Sequence, residues 1–124
     1  MDCACIYVDG GDGPEFYTER DITARKEHTC YECGRIINKG ERYERVSGKW
    51  YGRMDTFKTC IDCQSVRREL FCDGWAYGGI WEDVCQHISY CSGEIGSSKL
   101  ANLTPRAREK VCELIEEEWD ELDD

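Results

Sequence analysis

Cys30 and Cys33, then Cys60 and Cys63, form two Cys-x-x-Cys pairs separated by 26 residues. Two residues between cysteines let both sulfurs reach one tetrahedral ion at about 2.3 Å. The insert is long enough for a hairpin that returns the second pair to the first. Soft thiolate ligands favour Zn²⁺, or an iron–sulfur centre, over Mg²⁺ or Ca²⁺. Four sulfurs saturate the ion and leave no position for an activated water, so the expected role is structural. Zinc at Cys30, Cys33, Cys60 and Cys63 would bind the native chain and hold a loop-rich region shut.

The chain has ten cysteines in 124 residues. In an exported protein that density suggests a disulfide scaffold. Met1-Asp2-Cys3-Ala4-Cys5 lacks the basic-then-apolar order of a signal peptide, and no apolar run nears the roughly 20 residues that cross a bilayer. The expectation is a reduced chain in the cytoplasm, with no membrane contact. Cys3, Cys5, Cys72 and Cys91 form a candidate second metal site, with Cys85 or His87 as substitutes for Cys91. The plainer reading makes them, with Cys85 and Cys112, small apolar core residues. His28, two residues before Cys30, reads as a surface histidine or one beside the metal, not a ligand.

The fold class read from the pattern is α+β: a small treble-clef-like zinc module (knuckle, β-hairpin, helix) with additional C-terminal helices, all in one domain. Residues 24–71 carry the module. Glu41 to Val46 alternates as a strand with Tyr43 inward, Ser47-Gly48-Lys49 is the expected reversal, and Gln64 to Phe71 reads as helix with Asp62 in its first turn. A strand is expected near residues 3–8, and residues 18–28 read as a polar lead-in to the knuckle. A helix over 80–91 puts Trp81, Val84, Cys85 and Ile88 on one face, and 92–103 reads as a linker. Thr104-Pro105 opens a last helix over 104–122 as cap and first residue. Its apolar stripe is Ala107, Val111, Leu114, Ile115, Trp119 and Leu122.

Charge is unevenly distributed. The net charge is -10, yet residues 25–68 hold eleven Lys or Arg against six acids, a balance of +5, while residues 104–124 hold nine acids against three bases, a balance of -6. Four thiolates on one Zn²⁺ would lower the first figure to about +3. The overall sign argues against non-specific DNA binding. Two surfaces remain. Glu113, Glu117 and Asp120 on the last helix offer a row of carboxylates to a basic partner protein. Arg35, Arg42, Arg45, Lys49 and Arg53 in the basic segment are candidate nucleic-acid contacts, with Trp50, Tyr51 and Phe57 available for stacking. A protein partner is the favoured expectation.

No catalytic residues are expected. Cys85 and His87 are two apart, so a helix points them in different directions, and the glycines match no phosphate-binding pattern.

The run from Ala24 through Cys30-Tyr31-Glu32-Cys33-Gly34-Arg35-Ile36-Ile37-Asn38-Lys39-Gly40-Glu41 to Glu44, then Gly48-Lys49-Trp50, Phe57-Lys58-Thr59-Cys60, Cys63 and Cys72-Asp73-Gly74-Trp75, resembles a group of small zinc-binding proteins common in phages and prophages. That group has no common activity to carry over. The resemblance implies a phage or prophage setting in a bacterial host, a treble-clef-like module and a non-enzymatic accessory role. Inhibition of a host defence enzyme, of the anti-CRISPR type, is one version of that role. The opening Cys-x-x-Cys-x-x-x-Ile-x-x-Gly-Glu is also similar to the first half of LIM domains and of the fingers of nick-sensing polymerases. The all-cysteine ligand set departs from the latter, and the lack of a clear second module departs from the former.

Overall fold

The computed structural model describes residues 5–6, 16–71, 74–75 and 77–122. It is an α+β chain with a small antiparallel sheet and four helices among the described residues. β1 (Phe16–Thr23), β4 (Arg42–Trp50) and β5 (Arg53–Cys60) form a three-stranded sheet in the order β1-β4-β5. β2 (His28–Thr29) and β3 (Ile36–Ile37) pair around the first Cys-x-x-Cys turn. α1 (Ile61–Leu70), α2 (Ile80–Tyr90), α3 (Ser97–Ala101) and α4 (Pro105–Leu122) follow.

β1 takes most of the segment expected as a polar lead-in. Its side chains are nearly all exposed, so no buried alternation marks it in the sequence. Pairing with β4 over eight residues holds it in place. The reversal expected at Ser47-Gly48-Lys49 lies instead at Tyr51-Gly52, where φ is 50° and 77°. Two successive positive φ values suit the two-residue turn that matches strand twist, and Trp50 pairs with Arg53 across it.

Gly48 stays inside β4. A Cβ there would lie 2.7 Å from the Phe16 carbonyl oxygen and 2.8 Å from the Trp50 ring, so it marks a close approach of β1. Gly48→Ala is expected to push β1 off its partner and lower stability by about 1–3 kcal/mol, read from a denaturant midpoint.

The core lies between the sheet end and the helices. Val66 and Leu70 of α1, Ile80, Val84 and Ile88 of α2, and Ala107, Val111 and Ile115 of α4 are buried together with Ile37 and Leu103. This corrects three expectations. Cys85 is exposed on α2, and Ile80 and His87 take inward positions instead. Residues 92–103 hold α3 and bury Leu103, so the stretch packs as part of the domain. The α4 stripe is buried as far as Ile115; Trp119 and Leu122 are 50% and 59% exposed, and Trp119 is held at its edge by its indole N–H, which donates to the Ser92 carbonyl at 2.9 Å. Thr104 does cap α4, its Oγ1 accepting the Ala107 N–H at 3.4 Å and donating to Asp62 at 2.7 Å.

Of the strand expected at residues 3–8, only Cys5 and Ile6 lie among the described residues, and Ile6 forms a single parallel bridge to Phe71. No helix among the described residues is long and apolar enough to cross a membrane.

Candidate metal centre

The knuckle between β2 and β3 supplies Cys30 and Cys33. Cys60 ends β5 and is the N-cap of α1, and Cys63 lies in the first turn of α1. The hairpin β4–β5 thus returns the second pair to the first. The Cys30 N–H donates to the Arg35 carbonyl and the Gly34 N–H to the Cys30 carbonyl, each at 2.9 Å, closing the knuckle. The Tyr31 N–H donates to the Lys58 carbonyl at 2.8 Å and fastens it to β5.

The four sulfurs lie within 4.8 Å of one another. Cys30 to Cys63 and Cys33 to Cys60 are each 3.9 Å between Sγ atoms. A tetrahedral ion with sulfurs at about 2.3 Å needs about 3.8 Å between them. A disulfide needs about 2.05 Å, and all four are free thiols. The cluster could therefore hold a metal ion without rearrangement.

The surroundings suit negative sulfur. The Cys60 N–H points at Cys30 Sγ at 3.4 Å, and the Trp81 indole N–H donates to Cys63 Sγ at 3.2 Å. Hydrogen bonds from Cys60 and Cys63 push the Cys30 thiol down, while the thiolate so formed holds Cys60 up at about 11 and raises Cys63. A divalent ion bound here would favour the thiolate form of its ligands.

Arg35 closes one side. It pairs with Glu41 at 3.0 Å and Asp62 at 3.3 Å. Burial works against its charge, but Glu41 and the Cys60 sulfur outweigh that and leave its pKa above the ordinary value. The Arg35 guanidinium and the Asn38 N–H hold Glu41 down to about 2. Arg35, expected as a nucleic-acid contact, is therefore committed to the metal loop.

No family model, curated protein or solved structure matches this chain.

The remaining expected sites fare differently. Cys3 and Cys72 lie outside the described residues. Cys5 and Cys91 are each disulfide-bonded, which corrects two expectations: neither offers a thiolate to a second metal, and neither is a reduced core cysteine, although Cys91 is buried. Among the described residues only the Cys30, Cys33, Cys60 and Cys63 group draws three or more potential ligand atoms together. Cys112 is half-buried on α4. Glu113, Glu117 and Asp120 are all exposed. Arg42 reaches over β1 to Thr23 Oγ1 at 3.3 Å and the Asp21 carbonyl at 3.0 Å. The alternation of β4 and β5 puts Arg45 and Lys49 on one sheet face and Arg53 on the other. His28 is half-buried beside the Tyr43 ring, with Nδ1 3.1 Å from Lys58 Nζ. Burial and the cations Lys58, Lys26 and Arg45 push it below its ordinary value.

Two supporting residues escaped the sequence reading. Glu32, inside the first Cys-x-x-Cys pair, accepts the Gly78 N–H at 2.7 Å and the Ile80 N–H at 3.5 Å, binding the knuckle to the start of α2. Arg67 of α1 is 1% exposed, paired with the buried Glu44 of β4 and stacked 4.5 Å from the Trp75 ring centre. A buried arginine carries no sequence mark, because its partner is 23 residues away.

Proposed function

We propose that this chain is a zinc-stabilised, treble-clef-like binding module without a catalytic centre, working as an accessory protein that engages a macromolecular partner. The observation that carries the reading is the closed cage of Cys30, Cys33, Cys60 and Cys63, with sulfur separations fitting one tetrahedral ion. Such a site contributes to folding and leaves no coordination position for substrate. The order of knuckle, hairpin and helix, with Cys60 and Cys63 at the helix start, supports the treble-clef description. A phage or prophage setting, and action against a host defence enzyme, rest on the resemblance of the Cys30 to Cys63 segment alone.

The test is cobalt substitution. One equivalent of Co²⁺ should give the visible spectrum of a tetrahedral tetrathiolate, and excess azide or imidazole should leave it unchanged. A spectrum that shifts on adding azide means an open position and overturns the non-catalytic reading. Failure to bind zinc or cobalt at one equivalent overturns the metal assignment.

The acidic end of α4 favours a protein as partner. Glu113, Glu117 and Asp120 share a helical face, and the neighbouring Trp119 and Leu122 stay exposed where the stripe runs past the core. The variant E113Q/E117Q/D120N is expected to keep its metal and lose a basic host protein that the wild-type chain captures. Equal capture ends the acidic-face version.

A further inference from the structure

The two faces of the three-stranded sheet carry opposite charge. Glu19, Asp21, Glu44 and Asp55 all point to the side where α1 packs, as the strand register requires. There Glu44 meets Arg67 and Gln64, and Asp21 accepts from Gln64 at 2.8 Å. The other face has no carboxylate from any of the three strands. Instead the register sets Arg20 opposite Arg45, and Arg45 opposite Lys58. The result is one row of cations across three strands.

Side chains directly opposite on antiparallel strands have Cβ atoms about 4.5–5.5 Å apart, and like charges there are destabilising. Among the described residues, none of Arg20, Arg45 and Lys58 has a carboxylate within 4.0 Å. Arg20 and Arg45 are exposed and Lys58 half-buried. The row opens into a concavity of ≈ 960 Å³ whose lining includes Arg20, Arg25, Lys26 and Arg42. Asp21 also lines it, but is engaged by Gln64 and by Arg68 at 3.7 Å. At the other end of the same face, Phe16 and Met54 flank Lys49 in register and are 55% and 63% exposed.

A chain of net charge -10 does not attract polyanions as a whole. A cationic row to which the three strands add no carboxylate, beside exposed apolar side chains, is a local, oriented complement to a strand of phosphates and bases. We propose that this face binds single-stranded nucleic acid, with Arg20, Arg45 and Lys58 neutralising phosphates along the row and Phe16 stacking on a base. A single strand suits the face better than a duplex because its bases are free to meet Phe16. This surface lies apart from the acidic face of α4 and goes beyond the function proposed above.

The test uses the full metal-loaded chain and fluorescein-labelled 12-mers of dT and rU, a 12-base-pair duplex, and labelled polyglutamate, followed by anisotropy. At about 50 mM salt the single strands should bind and lose affinity with rising salt, with a log–log slope of about -2 for three phosphates. R20E/R45E should weaken binding at least about tenfold and flatten the slope. K39E/R53E, with the same change in charge away from this face, should bind as the wild type does. The ratio of dT to rU affinity tells DNA from RNA. Metal content and circular dichroism verify the fold, and the milder R45Q, expected to weaken binding about threefold with a shallower slope, serves where the double variant does not fold.

Four results overturn the proposal. They are no oligonucleotide binding at 50 mM salt, tighter binding of the duplex, equal loss in K39E/R53E, and polyglutamate binding as tight as dT. The last would assign the face to an acidic protein.

Discussion

Cys63→Ser is expected to leave the chain without its metal and largely unfolded at 25 °C. Cys63 is 1% exposed, sits in the first turn of α1 and receives the Trp81 indole N–H. Structural zinc in small modules is worth roughly 10–16 kcal/mol, while a whole domain keeps a net stability of only about 5–15 kcal/mol. Serine offers a harder, less acidic ligand, so most of the metal term disappears. Metal analysis and far-ultraviolet circular dichroism check this. Chelation of the wild type without reductant should reproduce the same loss, the disulfides at Cys5 and Cys91 staying intact. Cys85→Ser, on the exposed side of α2, should shift stability by no more than about 0.5 kcal/mol. A Cys63→Ser chain with one equivalent of metal and an unchanged helical signal would contradict the assigned ligand set.

Arg67→Met is expected to cost about 3–5 kcal/mol, the range for removing one partner of a buried ion pair. Glu44 is 2% exposed and would keep only Gln64 as a side-chain partner. The guanidinium also loses its place against Trp75 and Tyr77. The double variant E44L/R67M should recover much of that loss, because matched apolar side chains leave no stranded charge. Denaturant unfolding of the four corners of this cycle, each metal-loaded, gives the coupling directly. A cost under about 1 kcal/mol for Arg67→Met would mean that water reaches the pair.

The four-cysteine cluster was legible because ligand chemistry imposes local spacing: two residues between cysteines is what lets both sulfurs face one ion. The helix α4 was legible for a similar reason, since Thr104 and Pro105 act within one turn of each other. The rest depended on partners far along the chain. β1 has almost no buried side, and its evidence lies in its pairing with β4. The hairpin turn was misplaced because Ser47-Gly48 resembles a reversal, whereas Gly48 is there to let β1 approach. Tyr51 adopts a positive φ that its side chain does not advertise. Cys85 was expected inward because α2 was phased on Trp81, yet the helix is phased on Ile80, Val84 and His87. The charge of the basic segment was countable, but its division between sheet faces was not. Arg35 and Arg42 proved engaged within the fold, while Arg20, outside the segment, joined Arg45 through strand pairing.

The indole of Trp81 touches the Cys63 sulfur at one edge and carries the Lys110 ammonium 4.1 Å above its ring. Emission from that ring should consequently change if an ion is bound by, or removed from, the four sulfurs. The protein would thereby contain its own optical gauge of metal occupancy, tied to both α1 and α4. Stopped-flow traces of chelation could time the departure of the ion against the loosening of the helices without any added dye.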